Sequence, residues 1–523
     1  MFGGLRWSIY RNAMAFLMWV SFRRQPVYPV VRPTDGRVKF EAYGASFPRL
    51  ALPGAWHART FPDWEHAPPR LRRIGLTRVA VGFLRWLAPN TTDPIPTDHA
   101  AFLNAVYPGF FRRAWPDAPR VLDPVVAALT VPDGDVIAEL AVRGSHAWAL
   151  RAVRTAEGTP VPDRYEVDMS WLQAYQPYPG LLRPGGHALL EVIDGRLRTV
   201  TVEAMDASAG PGDANSGGDP VLAMRLLLAG WNEDHTTIRH NVFTHLTVLT
   251  SFALASTNLL PAAHPVRRLL HPCFQTLLIG NHEIATFQLS GPAAFAPRIF
   301  SHDATQIVAM ARERLSAFDL WDLEPDTQFA RRGTASTPFD YPYRDNVLTL
   351  WEPTLELARA YLAVYYPDDA AVGADAAVAG WLAELDGLLP GGVSIPSGGP
   401  SHEWLARLCA LLVHLSSVEH DYQNNVAWNY GTLGWLVPAV VPASGEPMDR
   451  RRSFDLIATY LGTWKRYNML LSCGWPDMAL DDQGRALIQR WLDRMDAIQT
   501  HLATRPPEPW LSYPINLNPS VSD

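Results

Sequence analysis

The chain contains little cysteine and almost no lysine. Its 523 residues include three cysteines, Cys273, Cys409 and Cys473, which lie far apart and form no CxxC pair. This odd, scattered set predicts no disulfide framework and favours a reducing compartment, so we expect a cytoplasmic protein. Lys39 and Lys465 are the only lysines, and the formal net charge is −7. Because no broad cationic surface can be inferred, we expect no nucleic-acid partner.

The N-terminal region lacks an apolar run long enough to cross a membrane. Residues 13–22 are apolar and lie between Arg11 and Arg23, but ten residues are too few to span a bilayer. No small-residue cleavage site follows, which argues against a signal peptide. We expect residues 1–40 to form an amphipathic helix and covering segment packed on the body of the protein. The alternative is a helix at a membrane surface, which leaves a peripheral membrane contact open.

Several common catalytic motifs are also absent. The sequence contains no glycine-rich phosphate loop, no GxSxG elbow and no zinc-finger spacing. His282 and Glu283 begin an HExxH pattern, but Thr286 stands where the second histidine is required. These absences exclude the nucleotide-binding, hydrolase and zinc-protease classes that depend on those motifs.

Hydrophobic periodicity predicts a small β-region followed by a long helical region. Residues 121–205 show strand-like alternation, and Asp194-Gly195 is a hairpin turn signal within it. The glycine- and serine-rich residues 206–219 predict a flexible loop. Beyond it we expect helices around 221–259, 303–318, 349–366, 374–388, 402–430, 452–471 and 482–503.

Three histidines, His235, His240 and His245, recur at a spacing of five residues. Side chains five apart diverge by about 140° on an α-helix, so two of them could share one metal only if the helix is widened into a π-helix. His420 and Asn424 are four apart, which places both on one face of an ordinary helix. Three imidazoles and an amide oxygen suit an iron-like divalent metal.

Together with these residues, four further segments resemble the lipoxygenases, the non-haem iron dioxygenases of polyunsaturated fatty acids. The segment LLPAAHPVRRLL resembles the family stretch that follows the first two ligands, and YPYRDNVLTLW resembles its YPY…LW stretch. YYPDD with the following WLAEL is similar to the next stretch, and residues 405–424 resemble the second ligand helix. The resemblance extends from about residue 185 to the C-terminus.

The resemblance implies a mainly α, single large helical catalytic domain with a small antiparallel β-region. We expect this domain to occupy residues 41–523, with the β-rich part at about 121–205 and the metal-binding helices within about 221–523. The N-terminal lipid-binding β-sandwich of many family members is expected to be absent, because too few residues precede the catalytic part.

The ligand set that the resemblance implies is His240, His245, His420, Asn424 and the terminal carboxylate of Asp523. These residues would bind one iron per chain, with no catalytic residue beyond the metal-bound water. The implied activity is insertion of O2 into a polyunsaturated fatty acid or related lipid through hydrogen abstraction at a doubly allylic carbon, giving a hydroperoxide. The implied partners are a lipid-like substrate and O2.

Some positions around the implied site do not match the family pattern. Ile284 aligns where a small residue leaves space for oxygen, although a one-residue shift would place Ala285 there. Thr236 and Ala427 stand where plant relatives have glutamines. A shift of one residue in the alignment would make Asn425 the implied ligand in place of Asn424. His235 is expected outside the ligand set, and His264 and His271 are expected in helix packing.

The remaining expectations concern the pocket and the alternatives. We expect Ile284, Ala285, Phe252 and Trp428 to line the substrate and oxygen pocket. Because the positions around the implied site depart from the family pattern, a second enzymatic function is an alternative. It is a related iron oxidase that desaturates, epoxidises or rearranges a specialised-metabolite precursor. A metal-free lipid-binding relative is the non-enzymatic alternative.

Overall fold

The structure is a computed structural model of the chain. It describes residues 2–22, 30–45, 50–52, 54–62, 64–66, 79–80, 82–86, 95, 101, 135–208, 219–289, 294, 296–426, 434–445, 451–455, 469–505, 508 and 511–521. Within them the fold is mainly helical, as the sequence predicted, with two small antiparallel sheets.

The N-terminal helix packs on the body of the protein. α1 (Phe2–Phe22) buries Tyr10 and Met14, and the Trp7 ring meets the Phe454 ring edge-on with centroids 5.7 Å apart. The Tyr10 hydroxyl donates a hydrogen bond to the Asp455 carboxylate. α1 therefore contacts the body of the protein through Trp7, Tyr10 and Met14, and the assignment of residues 1–40 as a covering segment stays a prediction.

The two sheets are antiparallel. β1 (Phe40–Ala42) pairs with β2 (Trp56–Ala58), and a four-stranded meander follows. Its strands are β3 (Arg151–Arg154), β4 (Pro160–Asp168), β5 (His187–Ile193) and β6 (Arg196–Glu203). Asp194 and Gly195 join β5 to β6 with φ of 51° and 73°, the two positive values of a type I′ turn. The predicted hairpin is confirmed.

The region predicted to be β-rich, about 121–205, also contains a helix that the sequence analysis did not predict. Residues 136–142 form a helix, α2 (Val136–Val142), because the Asp135 carboxylate accepts a hydrogen bond from Ala138 N at 3.0 Å and caps it. Residues 121–134 lie outside the described residues. The predicted flexible loop begins with a short helix, α3 (Met205–Ser208), and residues 209–218 also lie outside.

The long helical region begins at a capped start. Asp219 accepts hydrogen bonds from Val221 N and Leu222 N, and Pro220 occupies the first turn. From there α4 (Pro220–Glu233), a π-helix (Asp234–Leu249) and α5 (Thr250–Leu259) form one continuous 40-residue span. By length and composition this span could cross a membrane, but 78% of its apolar window is buried inside the protein. Its position is that of a central core helix.

The remaining helices surround this span. They are α6 (Pro265–Phe274), α7 (Leu277–Glu283), a π-helix (Ile284–Leu289), α8 (Ala296–Ile299), α9 (Ala304–Ser316), α10 (Pro325–Arg332), α11 (Pro342–Tyr365), α12 (Asp369–Ala374), α13 (Ala376–Leu388), α14 (His402–His414), two π-helices (Leu415–Glu419 and Tyr422–Val426) and α15 (Asp482–Ala503). α11 packs on α14 and α15, and α13 packs on α5. Trp231, Trp351, Trp381 and Trp475 are fully buried between them.

Most predicted helices are confirmed, with three differences. α11 starts seven residues before the predicted 349, because Pro342 is favourable at the first helical position. The predicted helix 402–430 is α-helical only to His414 and continues in π-helical turns to Val426, and residues 427–430 lie outside the described residues. Of the predicted helix 452–471, the described residues at its C-terminal end form a short 3₁₀ turn (Leu470–Ser472).

Candidate metal centre

The π-helix between Asp234 and Leu249 brings His240 and His245 together. Their Nε2 atoms are 2.9 Å apart, which a regular α-helix would not allow. Threonines stabilise the widened turns, since Thr244 Oγ1 donates to Arg239 O at 3.1 Å and Thr250 Oγ1 donates to His245 O at 2.7 Å. Each hydroxyl bonds the carbonyl five residues back, which is the spacing of a π-turn. The predicted underwound helix is confirmed.

The second helix supplies His420 and Asn424. His420 Nε2 lies 3.1 Å from His245 Nε2, and the Asn424 amide lies 2.9 Å from His420 Nε2. The two residues share a face, as predicted, although the flanking turns are π-helical where an ordinary α-helix was expected. Asn424 Oδ1 is buried and accepts no hydrogen bond from any described residue. Because amide oxygen and nitrogen interchange on a half-turn of the side chain, this oxygen can face the histidines.

The three imidazoles form a group whose chemistry fits a metal ion. One nitrogen from each of His240, His245 and His420 lies within 4.8 Å of the other two, and all three residues are buried. Burial lowers the pKa of His245 to about 4 and lowers the pKa of His240 and His420 well below 6.5. The imidazoles are therefore neutral at pH 7, which is the state that binds a metal. With the orphaned Asn424 oxygen, this donor set fits the divalent metal that the resemblance implies.

Asn281 is a contributor that sequence reasoning missed. Its Oδ1 lies 2.8 Å from His245 Nδ1, and its Nδ2 donates to His245 O and to Thr250 Oγ1, both at 2.8 Å. These donations fix the amide orientation, so His245 Nδ1 carries the proton and its Nε2 lone pair faces the cluster. No spacing rule links Asn281 to His245, which lies 36 positions earlier in the sequence.

A buried ion pair joins the two helices beside the cluster. Arg239 Nε and Nη2 lie 2.8 Å and 2.7 Å from Glu419 Oε1, and both residues are less than 5% exposed. Tyr343 and Gln423 also bond this carboxylate, at 3.3 Å and 3.1 Å. Burial alone raises the pKa of Glu419, but the Arg239 guanidinium outweighs it and holds that pKa below its ordinary value. Arg239 and Glu419 directly precede His240 and His420, so the pair ties the two ligand positions together.

His235, His264 and His271 lie outside the cluster, as predicted. His235 Nδ1 accepts a hydrogen bond from Trp148 Nε1 at 3.2 Å, and its ring stacks on His146. His264 Nε2 pairs with Asp375 Oδ2 at 3.0 Å, and His271 is buried within α6.

The predicted pocket residues are only partly described. Ile284 and Ala285 are buried in the π-helix Ile284–Leu289, and Phe252 is fully buried with its ring edge-on to Trp381, centroids 5.8 Å apart. Trp428, Ala427 and the terminal Asp523 lie outside the described residues. The side chain of Asn425 is not described, whereas that of Asn424 faces His420.

This geometry defines a buried three-histidine centre in a helical domain. Known proteins of one family share its sequence pattern. The Lipoxygenase family model matches residues 227–431, which include the three histidines and Asn424. The linoleate 9/13-lipoxygenase of Pseudomonas aeruginosa is 30% identical over 231 residues, covering 42% of this chain and 33% of the relative. The chain thus aligns with about a third of the length of that relative. Residues 227–431 of the chain therefore carry the sequence pattern of the lipoxygenase family.

Solved structures share the fold over most of the chain. A calcium-dependent 11R-lipoxygenase superposes with a TM-score of 0.73 at 15% identity, covering 93% of this chain and 78% of that one. The manganese lipoxygenase of Gaeumannomyces graminis superposes with a TM-score of 0.66 at 13% identity, covering 87% and 89%. At these identities the superpositions establish the fold, which is that of the lipoxygenase catalytic domain.

Proposed function

We propose that this chain is an iron-dependent dioxygenase that inserts O2 into a polyunsaturated fatty acid or related lipid and gives a hydroperoxide. The observation that carries the proposal is the convergence of His240, His245 and His420 Nε2 from two underwound helices. The match to the Lipoxygenase family model and the similarity to the linoleate 9/13-lipoxygenase of Pseudomonas aeruginosa support the substrate class.

The proposed ligands are the Nε2 atoms of the three histidines, Asn424 Oδ1 and the terminal carboxylate of Asp523. Neutral nitrogens, one amide oxygen and one carboxylate are a donor set suited to iron, and they leave a position open for water. Iron is proposed as the metal, with manganese as its rival because one similar structure is a manganese lipoxygenase. When bound, the metal supplies the one-electron chemistry that removes hydrogen from a doubly allylic C–H bond.

The chain's own residues hold and tune this centre. Burial keeps the three imidazoles neutral, and Asn281 fixes the tautomer of His245. The Arg239–Glu419 pair holds the two helices at the separation that the three nitrogens require. The protein's further task is to present one carbon of the substrate to the metal and one of its faces to oxygen.

We further propose that Ile284, Ala285, Phe252 and Trp428 line the pocket for substrate and oxygen. The buried Ile284 stands where the family resemblance expects a small residue, and this favours a second candidate in which oxygen access is narrowed. In that case the same hydrogen abstraction would end in desaturation, epoxidation or rearrangement.

One incubation tests the proposed function. The iron-loaded protein is incubated with linoleate and with arachidonate, while absorbance of the conjugated diene, oxygen consumption and product mass are followed. A product heavier than the substrate by 32 mass units, the mass of one O2, supports dioxygenation if one O2 is consumed for each product formed. A product that has lost two hydrogens supports the second candidate. If neither acid is changed while iron is retained, the fatty-acid proposal is wrong.

Metal analysis tests the centre separately. The protein is expressed with both iron and manganese available, and its content of each is measured. About one iron per chain supports the proposal, about one manganese would replace iron with its rival, and a chain free of both favours the metal-free lipid-binding alternative.

The arrangement of the rest of the chain is also a proposal. We propose residues 41–523 as the catalytic domain and residues 1–40 as its covering segment, in a cytoplasmic protein. Leu5, Ile9 and Phe16 on α1 are at least half exposed, which supports a peripheral membrane contact. The three cysteines are buried and form no disulfide, which supports a reducing compartment. Co-sedimentation with anionic lipid vesicles, lost on substitution of these three residues by serine, tests the membrane contact.

A further inference from the structure

A polar cleft lies between the four-stranded sheet and helices α9 and α10, separate from the histidine cluster. Its cavity of about 630 Å³ adjoins a smaller one of about 130 Å³. Trp148, Asp234, Arg314 and Arg332 line both cavities, and none of the three cluster histidines lines either. The larger volume is that of a site for a small molecule.

Two of the five arginines that line the larger cavity are neutralised by carboxylates. Arg151 Nε lies 2.7 Å from Glu166 Oε1, and its Nη2 lies 3.0 Å from Asp168 Oδ2. Arg331 Nη1 lies 2.6 Å from Asp319 Oδ2. Glu166 and Asp168 on β4 and Asp319 beside the cleft are therefore already paired with arginines.

The other three, Arg154, Arg314 and Arg332, form no ion pair with any described residue. Arg154 donates only to backbone carbonyls, at 2.7 Å to Gly158 O and 3.1 Å to Arg331 O. Arg332 donates to Trp148 O and to Gln328 Oε1. The contacts of these three guanidinium groups are therefore with neutral groups, although the carboxylate of Asp234 lines the same cleft.

The guanidinium of Arg314 lies over an aromatic ring. Its guanidinium carbon lies 5.0 Å from the centroid of Trp171, and its Nε is buried without a hydrogen-bond partner among the described residues. The ring contact restrains the position of the guanidinium, and its N–H groups can still bind a second group. A planar, pre-oriented guanidinium is the group that binds carboxylate and phosphate best.

Asp234 is a second unsatisfied group in the cleft. Asp234 is 2% exposed and lines both cavities, yet its carboxylate forms no hydrogen bond or ion pair with a described residue. Burial raises its pKa to about 6, and the nearest opposing charges are Arg314 and Arg239. The ionised carboxylate repels an anion in the cleft, whereas its protonated form does not.

We propose that this cleft binds a small anion bearing a carboxylate or phosphate group, held by Arg314, Arg332 and Arg154. Trp148 and Trp171 form its aromatic walls, and Asp234 opposes the anion when ionised. The site is independent of the proposed dioxygenase function, because binding requires neither the metal nor turnover.

The cleft also contacts the helix of the histidine cluster. Arg239, which directly precedes His240, stacks on Trp148 with its guanidinium carbon 4.5 Å from the ring centroid, and Trp148 Nε1 donates to His235. An anion against Trp148 therefore lies one side chain from the Arg239–Glu419 pair. This position makes the cleft a candidate effector site.

Equilibrium dialysis of the full chain tests the proposal, with inorganic phosphate and succinate as labelled probes at constant ionic strength. We expect saturable binding of at least one probe, and the preferred probe identifies phosphate or carboxylate as the ligand group. Arg314→Gln should weaken binding about tenfold, since it removes a charge-assisted bidentate contact. Asp234→Asn should tighten binding at pH 7.5, because it removes the opposing charge.

A matched control separates the cleft from general charge effects. Arg312→Gln removes the same charge from the same helix, but Arg312 bonds Ala51 O outside the cleft, so binding should stay within about twofold of the unaltered chain. If Arg314→Gln does not fold, Arg154→Gln on the exposed rim replaces it. No saturable binding of either probe, or equal loss with Arg312→Gln and Arg314→Gln, would overturn the proposal.

Discussion

Arg239 and Glu419 form an ion pair buried between the two helices that supply the histidine cluster, with Arg239 Nη2 2.7 Å from Glu419 Oε1. Each residue directly precedes a histidine of the cluster. A buried pair of this kind adds little net stability compared with apolar residues, but removal of one partner leaves an uncompensated buried charge. The pair therefore makes the spacing of the two helices dependent on both of its members.

The first prediction concerns this pair. Glu419→Gln should lower the free energy of unfolding by about 3 kcal/mol, because the Arg239 charge stays buried without its partner. Urea unfolding of the metal-free chain measures the loss. Glu403→Gln is the control, since its pair with Arg359 is about half exposed and should contribute less than about 1 kcal/mol. Equal losses in the two variants would contradict the structural importance of the buried pair.

The second prediction concerns His245. His245→Ala should reduce bound metal to less than about a tenth of that in the unaltered chain, because it removes the nitrogen that lies within 3.1 Å of both other histidines. Metal analysis and near-ultraviolet circular dichroism measure metal content and folding. His264→Ala is the control, because His264 pairs with Asp375 away from the cluster. Full metal content in a folded His245→Ala protein would remove His245 from the ligand set.

The third prediction concerns Asn281. Asn281→Ala should weaken metal binding by about 10-fold to 100-fold, because His245 loses the partner that fixes its tautomer. Competition with a chelator of known affinity measures the change. Asn258→Ala is a suitable control, since that amide bonds the backbone of Val38 far from the cluster. Unchanged affinity in Asn281→Ala would mean that helix packing alone orients the imidazole.

The fourth prediction concerns the pH dependence of stability at Asp234. Burial raises its pKa from 3.8 to about 6, so between these values the folded chain binds more proton than the unfolded chain. Its contribution to stability is therefore greatest below about pH 4 and falls as the pH rises through 6. At pH 7.5, Asp234→Asn should raise the free energy of unfolding by on the order of 1–3 kcal/mol, and at pH 4 it should change little.

Urea unfolding at the two pH values tests this prediction, with Asp340→Asn at an exposed position as the control. The control should change stability by less than about 0.5 kcal/mol at either pH. A destabilised Asp234→Asn protein at pH 7.5 would show that the carboxylate is satisfied in the folded chain.

Local sequence signals were sufficient for much of the fold. Asp194-Gly195 specified its hairpin, because only residues that tolerate positive φ form that turn. α15 begins and ends at the predicted residues, since Asp481 caps its start. The start of α11 was misplaced by seven residues, and a helix was missed at Val136–Val142, because Pro342 and the Asp135 cap are start signals that the periodicity of apolar residues does not include.

By itself, the sequence determined that His240 and His245 could meet only in an underwound helix, because a spacing of five is incompatible with convergence on an α-helix. It also determined that His420 and Asn424 share a face. Only the tertiary structure decided that Asn281 orients His245, that Arg239 pairs with Glu419 and that Asp234 lines a cleft together with arginines that form no ion pair with a described residue. Those relationships join residues 36 to 180 positions apart or depend on which side chains remain unpaired after packing, and no local spacing records either property.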